Sequence, residues 1–144
     1  MNGTQFYSFA ISLAKGPGPA EFRSCTSRAY YGAYHRAREL IEHYGVSLPG
    51  GTEWHKKVRW ILDQSNDAAI KKASAKLNSL RDARNDADYQ LSDLQPENAR
   101  SAEFNLRTAK EIIDLVDAYI ASGKSPGRTA IREYSKDTLK LIVR

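Results

Sequence analysis

Apolar residues recur along this chain at alternating steps of three and four, the spacing that lines them up on one face of an α-helix. A first helix over about 4–14 carries Phe6, Phe9, Ala10 and Leu13. A long second helix over 20–44 carries Phe22, Cys25, Ala29, Ala33, Ala37, Leu40 and Ile41. A third, over 53–64, turns Trp54, Val58, Ile61 and Leu62 inward, with Thr52 as a candidate N-cap. A fourth, over 67–91, carries Ile70, Ala73, Leu77, Leu80, Ala87 and Leu91. A fifth starts near Pro96, a residue suited to a first helical position, with a stripe of Ala99, Ala102, Leu106, Ala109, Ile113, Val116 and Ile120. The breaks between them are "KGPGP", "GVSLPGG", "SND" and "SGKSPG", where Gly and Pro interrupt the helical pattern.

No stretch alternates apolar and polar residues in the manner of a half-buried strand. The pattern therefore predicts an all-α fold, an up-down bundle of four to five helices with short connections. The last stretch, "RTAIREYSKDTLKLIVR", reads as a short amphipathic helix or as a tail with some strand character. The chain divides accordingly into a bundle over 1–122 and a linker with an amphipathic segment over 123–144. The middle of the second helix is unusually small, with alanine at 29, 33 and 37. Small residues let neighbouring backbones come close, which puts this helix at the centre of the bundle.

Composition narrows the picture. At 144 residues the chain is about one domain, long enough to bury a core. The single cysteine, Cys25, excludes an internal disulfide and sits among apolar helix positions, as an inert buried thiol does in a reducing cytoplasm. The start has no basic residues before its short apolar run, so no secretory signal is expected, and no run approaches the length of a membrane span. The expected location is cytoplasmic. A net charge of +5 and a pI near 9.3 permit attraction to nucleic acid without establishing it.

Three familiar chemistries are excluded. "ASGKSPG" resembles the end of a phosphate-binding loop, but it follows a helix, lacks the first glycine (Ala118 stands there), and has Pro126 blocking the helix that should come next. The three histidines, His35, His43 and His55, have no spacing that suits a zinc cage, so no metal is expected. No glycine-flanked serine or Cys–His signature points to a hydrolase triad.

Two polar clusters remain on helical faces. In "RAYYGAYHRAREL", Tyr30 and Tyr34 are neighbours one turn apart, as are Tyr31 and His35, with Arg28 near the start. In "LNSLRDARNDADYQL", Arg84 occupies a seam position between Leu80 and Ala87, with Asp88 one turn on and Asn85 and Tyr89 on the adjacent row. A guanidinium in that place has two readings. It pairs with Asp88 and fixes helix register, at a desolvation cost that leaves little net stability. Or it is held for a phosphate, whose oxygens it matches bidentately.

Taken together, "SRAYYGAYHRARELI", the His55 of "EWHKKV" and "LRDARNDADY" resemble the HEPN superfamily of small prokaryotic all-α domains, over roughly residues 22–89. Many members of that superfamily are metal-independent endoribonucleases and homodimers, with a motif of arginine, a polar residue such as asparagine, and a histidine a few positions later. The resemblance implies that Arg84 and Asn85 are the first two motif residues. It also exposes a departure, because the histidine position is Tyr89. In such enzymes the 2′-hydroxyl attacks the adjacent phosphorus, the arginine stabilises the phosphate, and the histidine moves the proton. A phenol, ordinarily titrating near 10, is a poor base at neutral pH.

The resemblance thus implies a protein acting on RNA, a toxin- or defence-related endoribonuclease needing no cofactor. Arg84 and Asn85 would hold the scissile phosphate or the motif. Tyr89, with His35 or His55, would supply hydrogen bonding or proton transfer. Arg28, Tyr31, His55 and Asp88 would contact substrate. The alternative is a non-catalytic HEPN-like module that dimerises or pairs with a nucleotidyltransferase-like protein, Arg84–Asp88 being its interface or register device. A third reading is an unrelated helical nucleic-acid binder using Lys56, Lys57, Arg59 and the basic tail, with Arg84 irrelevant.

Overall fold

A computed structural model describes residues 1–123 and 126–144 of the chain. Its elements in order are α1 (Thr4–Leu13), α2 (Pro19–His43), α3 (Trp54–Asp63), α4 (Ala68–Tyr89), a short 3-10 turn (Gln95–Glu97), α5 (Ala99–Ser122) and α6 (Pro126–Asp137). The fold is the all-α bundle that the periodicity predicts. Its central helix is α2, which packs against α1, α3, α4 and α5. Cys25, Ala29, Ala33, Ala37, Leu40 and Ile41 of α2 are all buried, against Ile61 and Leu62 of α3, Leu77 and Leu80 of α4, and Ile112 and Val116 of α5.

Local chemistry sets three of the helix ends. The Asp67 carboxylate accepts from the amides of Ala69 (2.9 Å) and Ile70 (3.2 Å), capping α4. Asn98 does the same for α5, accepting from the Ser101 amide at 2.8 Å. Gly123, with φ of 65°, ends α5 in the left-handed conformation that glycine adopts without a Cβ penalty.

Several expected details are corrected. Thr52 does not cap α3: the N-cap is Glu53, and no side chain bonds the free amides. Pro96 lies in the 3-10 turn and not in α5. Pro126 does not block a helix; α6 begins there, since the first turn needs no proline amide donor. The stripes are shorter than the periodicity suggests. Phe9 and Ala99 are exposed, and Leu91, beyond the end of α4, is 71% exposed. The break "SGKSPG" falls partly on residues 124 and 125, outside the described residues.

What stops α4 at Tyr89 is an arginine from another helix. Arg23 of α2 reaches across and donates from Nη1 to the carbonyls of Ala87 (2.9 Å), Asp86 (3.3 Å) and Gln90 (3.3 Å). Its Nη2 donates to the carbonyls of Asp93 (2.5 Å) and Leu91 (3.4 Å), and its Nε to the Glu97 carboxylate (2.9 Å). The last carbonyls of a helix have no partner within it, and here one buried guanidinium supplies it.

The C-terminal segment takes both forms that its sequence suggested. It is helical to Asp137, with Ile131 buried in the same core as α2. It then runs extended, and Val143 makes an antiparallel bridge to Val46. The Ser47 amide donates to the Ile142 carbonyl and the Arg144 amide to the Gly45 carbonyl, both at 2.9 Å. Arg132 donates to the carbonyls of Tyr44 and Arg144, each at 2.6 Å. The end of the chain is thereby fastened to the loop after α2.

The α1–α2 contact depends on Gly32. A Cβ there would lie 2.9 Å from both the backbone nitrogen and the Cβ of Tyr7. Replacing a helical glycine with alanine ordinarily gains about 1 kcal/mol. At Gly32 we expect the opposite sign, a loss of about 1–3 kcal/mol from overpacking against backbone that has nowhere to move. The urea midpoint should fall for Gly32→Ala and stay put for Gly50→Ala, where a Cβ meets nothing within 4 Å. Arg23→Ala should cost more, about 3–5 kcal/mol, because it strips partners from a buried helix end and from Glu97. Arg23→Lys should recover only part, since an ammonium does not span the same carbonyls.

Candidate functional site

Where α2, α3 and α4 meet, the chain assembles a cluster of rings and cations. The α2 row of Tyr30 and Tyr34 faces α3, and His55 lies between the helices with its ring stacked on Tyr34 at 4.3 Å and 15°. Tyr30 is fully buried, and its hydroxyl lies 2.5 Å from His55 Nδ1. Burial pushes the Tyr30 phenol well above its ordinary value, with Tyr34 adding to the effect. It therefore stays protonated and donates to Nδ1, which leaves the imidazole proton on Nε2. Nε2 has no partner among the described residues. Burial lowers the His55 pKa to about 4, helped by the positive charges of Arg84, Arg81 and Arg38. His55 is thus uncharged at neutral pH.

Arg84 enters this cluster from α4. It is only 7% exposed, and its guanidinium carbon lies 5.2 Å from the Tyr30 ring centre, 5.5 Å from Tyr31 and 6.0 Å from Tyr89. The expected pairing with Asp88 is loose. Nη1 is 3.8 Å from Asp88 Oδ2, too long for a hydrogen bond. Asp88 instead accepts from the Ser27 hydroxyl (3.1 Å), which itself accepts from Arg28 (3.2 Å). Arg28 lies over the other rings of the cluster, 5.0 Å from Tyr31 and 5.5 Å from Phe6. Arg84 makes no hydrogen bond to any described residue, and its Nε is buried without a partner. Leaving that buried donor unmet is costly.

Of the residues the sequence singles out, Arg84, Asp88, Arg28 and Tyr31 come together, and His55 joins them through Tyr30. Tyr89 stands at the rim, 70% exposed. His35 stands on the α1 side of the same rings, 5.6 Å from Tyr34 and 6.3 Å from Tyr31. Its ring stacks on Phe6 of α1 at 5.5 Å, and Gly3 sits directly against its Cβ. Burial lowers the pKa of His35 too, with Arg38 contributing. Asn85 is half-buried, and its side chain forms no hydrogen bond with a described residue. Both histidines left open by the sequence contact Tyr31, which Arg84 covers, and His55 also stacks on and hydrogen-bonds Tyr30.

Three contributors were not singled out from the sequence: Tyr30 as the partner of His55, Arg81 as a neighbouring charge, and Arg23 as the anchor of the α4 end. Arg23 had a signal. It falls on the row 23, 26, 30, 34, 37 of α2, a charge among buried positions, as Arg84 is in α4. Among the described residues no group of His, Cys, Asp and Glu could hold a metal ion, and no helix is long and apolar enough to cross a membrane.

No protein-family model matches this chain, and it has no significant match among curated proteins or solved structures.

The His55 environment predicts a pH dependence. The unfolded chain takes up a proton near pH 6.5 and the folded chain only near 4. Between these values the unfolded state binds more protons, so His55 costs no stability above about 6.5 and a growing amount as pH falls toward 4. The urea midpoint of the wild type should drop faster over that window than that of His55→Gln. Equal slopes would show that His55 is not held neutral.

Proposed function

We propose that this chain is a HEPN-like protein that acts on RNA, engaging a backbone phosphate at Arg84. One observation carries the reading: an arginine whose Nε is buried without a partner and whose Nη groups make no hydrogen bond to a described residue, beside a neutral histidine whose Nε2–H is also free to donate. Phosphate oxygens are the acceptors that suit both groups. The partly exposed Tyr31 and the exposed Tyr89 flank Arg84, and the basic chain favours a polyanion. In the endoribonuclease that the HEPN resemblance implies, the 2′-oxygen bonds to the adjacent phosphorus as the bond to the 5′-oxygen breaks, the 2′-hydroxyl proton passing to water and the 5′-oxygen leaving with a proton from water, while Arg84 neutralises the phosphate oxygens. His55 donates a hydrogen bond to the phosphate from Nε2. We place the protein in the cytoplasm as a homodimer, acting in the manner of a toxin or defence nuclease.

A second reading, a non-catalytic module that dimerises or pairs with a nucleotidyltransferase-like protein, is favoured by one specific residue. Tyr89 replaces the motif histidine, and neither it nor Tyr30-bound His55 is an evident base.

Incubating the purified protein with a mixed RNA pool in a metal chelator separates the two. The nuclease reading expects cleavage that Arg84→Ala abolishes, by a factor of about 100 or more, while the melting profile stays cooperative. Its products should end in 2′,3′-cyclic phosphate. The module reading expects no cleavage, and Arg84→Ala should instead break the dimer or the partner complex. Absence of both binding and cleavage sinks the RNA assignment altogether.

A further inference from the structure

Most of the buried or half-buried arginines of this chain are fully engaged. Arg23 meets five carbonyls and Glu97, Arg36 pairs with Glu39 and Asp117, Arg38 donates to the carbonyls of Leu48 and Pro49, and Arg132 closes the C-terminal tail. Three are different. Arg59, Arg81 and Arg84 each have a buried Nε with no partner, and the side chains of Arg59 and Arg81 make neither a hydrogen bond nor an ion pair with a described residue. The Ser135 hydroxyl is the only other buried side-chain polar atom without a partner among the described residues.

Arg81 and Arg84 belong to one place, and Arg59 stands on α3, the helix packed against them. Arg81 precedes Arg84 by one turn on the same face of α4, a step of about 5 Å. It is close enough to His55 and Tyr30 for its charge to act on both. Arg59 follows His55 by one turn on α3, and its carbonyl accepts from Ser74 of α4 at 3.4 Å, where the two helices pack. The seam between α3 and α4 is thus lined by guanidinium groups lacking protein acceptors, beginning at the Arg84 cluster and leading away from it. Guanidinium groups partly withdrawn from water without acceptors are costly unless a ligand supplies them. Arg81 and Arg84 one turn apart, with Arg59 on the facing helix, suit a ligand with repeated anionic groups and exceed what a single phosphate needs.

We infer that Arg81 and Arg59 form a second phosphate subsite continuous with Arg84, so that a single RNA strand runs along the α3–α4 seam with neighbouring phosphates on Arg84 and on Arg81–Arg59. This rests on the RNA reading above and specifies its substrate as a strand of at least two phosphates.

The test is binding of a fluorescein-labelled single-stranded RNA oligonucleotide across a range of KCl concentrations, for the wild type and for Arg59→Gln, Arg81→Gln, Arg81→Lys and Arg84→Gln, with a thermal melt of each. Removing one phosphate contact should make the slope of log K against log salt shallower by about 0.7 for a single strand. Arg81→Gln and Arg59→Gln should each weaken RNA binding several-fold and flatten the slope. Arg81→Lys, which keeps the charge, should hold the wild-type slope even if the Gln variant melts early. If Arg59→Gln and Arg81→Gln keep the wild-type slope while Arg84→Gln loses a contact, the second subsite is overturned and the RNA reading stands. If the wild type binds no RNA, both are overturned.

Discussion

The end of α4 is finished by a side chain from α2. Six hydrogen bonds from the Arg23 guanidinium reach the last carbonyls of α4, the loop after it and Glu97 of the 3-10 turn. A helix end needs partners for its free carbonyls, and a solvated end finds them in water. This one lies against another helix, so the partner must come from the fold. Because Arg23 is rooted in the central helix, the same contact sets where α4 stops, how it sits against α2, and where the chain turns toward α5. Arg84, Asp88 and Tyr89 lie in the last two turns of α4. Their distance from Tyr30 and Tyr31 follows from where that end is held.

The central helix explains the rest of the site. α2 is thin in its middle, with alanines at 29, 33 and 37 and a glycine at 32, so α1, α3, α4 and α5 all approach it closely. Its bulky polar residues, Tyr30, Tyr31 and Tyr34, stand where α3 and α4 converge. Closing helices around these rings withdraws His55 from water, which lowers its pKa and leaves it neutral, while the Tyr30 phenol is kept protonated by the same burial. The packing that stabilises the bundle therefore also fixes the protonation states of the groups facing Arg84. Arg84 gains ring faces and a distant carboxylate, and no acceptor. Electrostatics in this cluster is unbalanced toward positive charge, and that imbalance extends along α3 and α4 to Arg81 and Arg59.

The sequence by itself determined the helices and their inward faces. Stripes at steps of three and four are a local property, written within each segment, and the buried residues of α2, α3 and α4 follow them closely. The misplaced charge at Arg84 was legible for the same reason, being a break in a local rule. Its position could be read, but its partner could not. Asp88 was the natural candidate one turn away, yet its carboxylate turns to Ser27, a residue sixty-one positions earlier in the chain. The ends were less legible: Leu91 and Pro96 obey helical patterns, but Arg23 and the 3-10 turn overrule them. Only the tertiary structure decided that His55 and not His35 is hydrogen-bonded to the Tyr30 ring that Arg84 covers, that Arg23 closes α4, and that the last residues bridge to Val46. Each of these joins segments remote in sequence, and the physical terms that set them (desolvation, ring contact and the geometry of a shared hydrogen bond) exist only once the helices have packed.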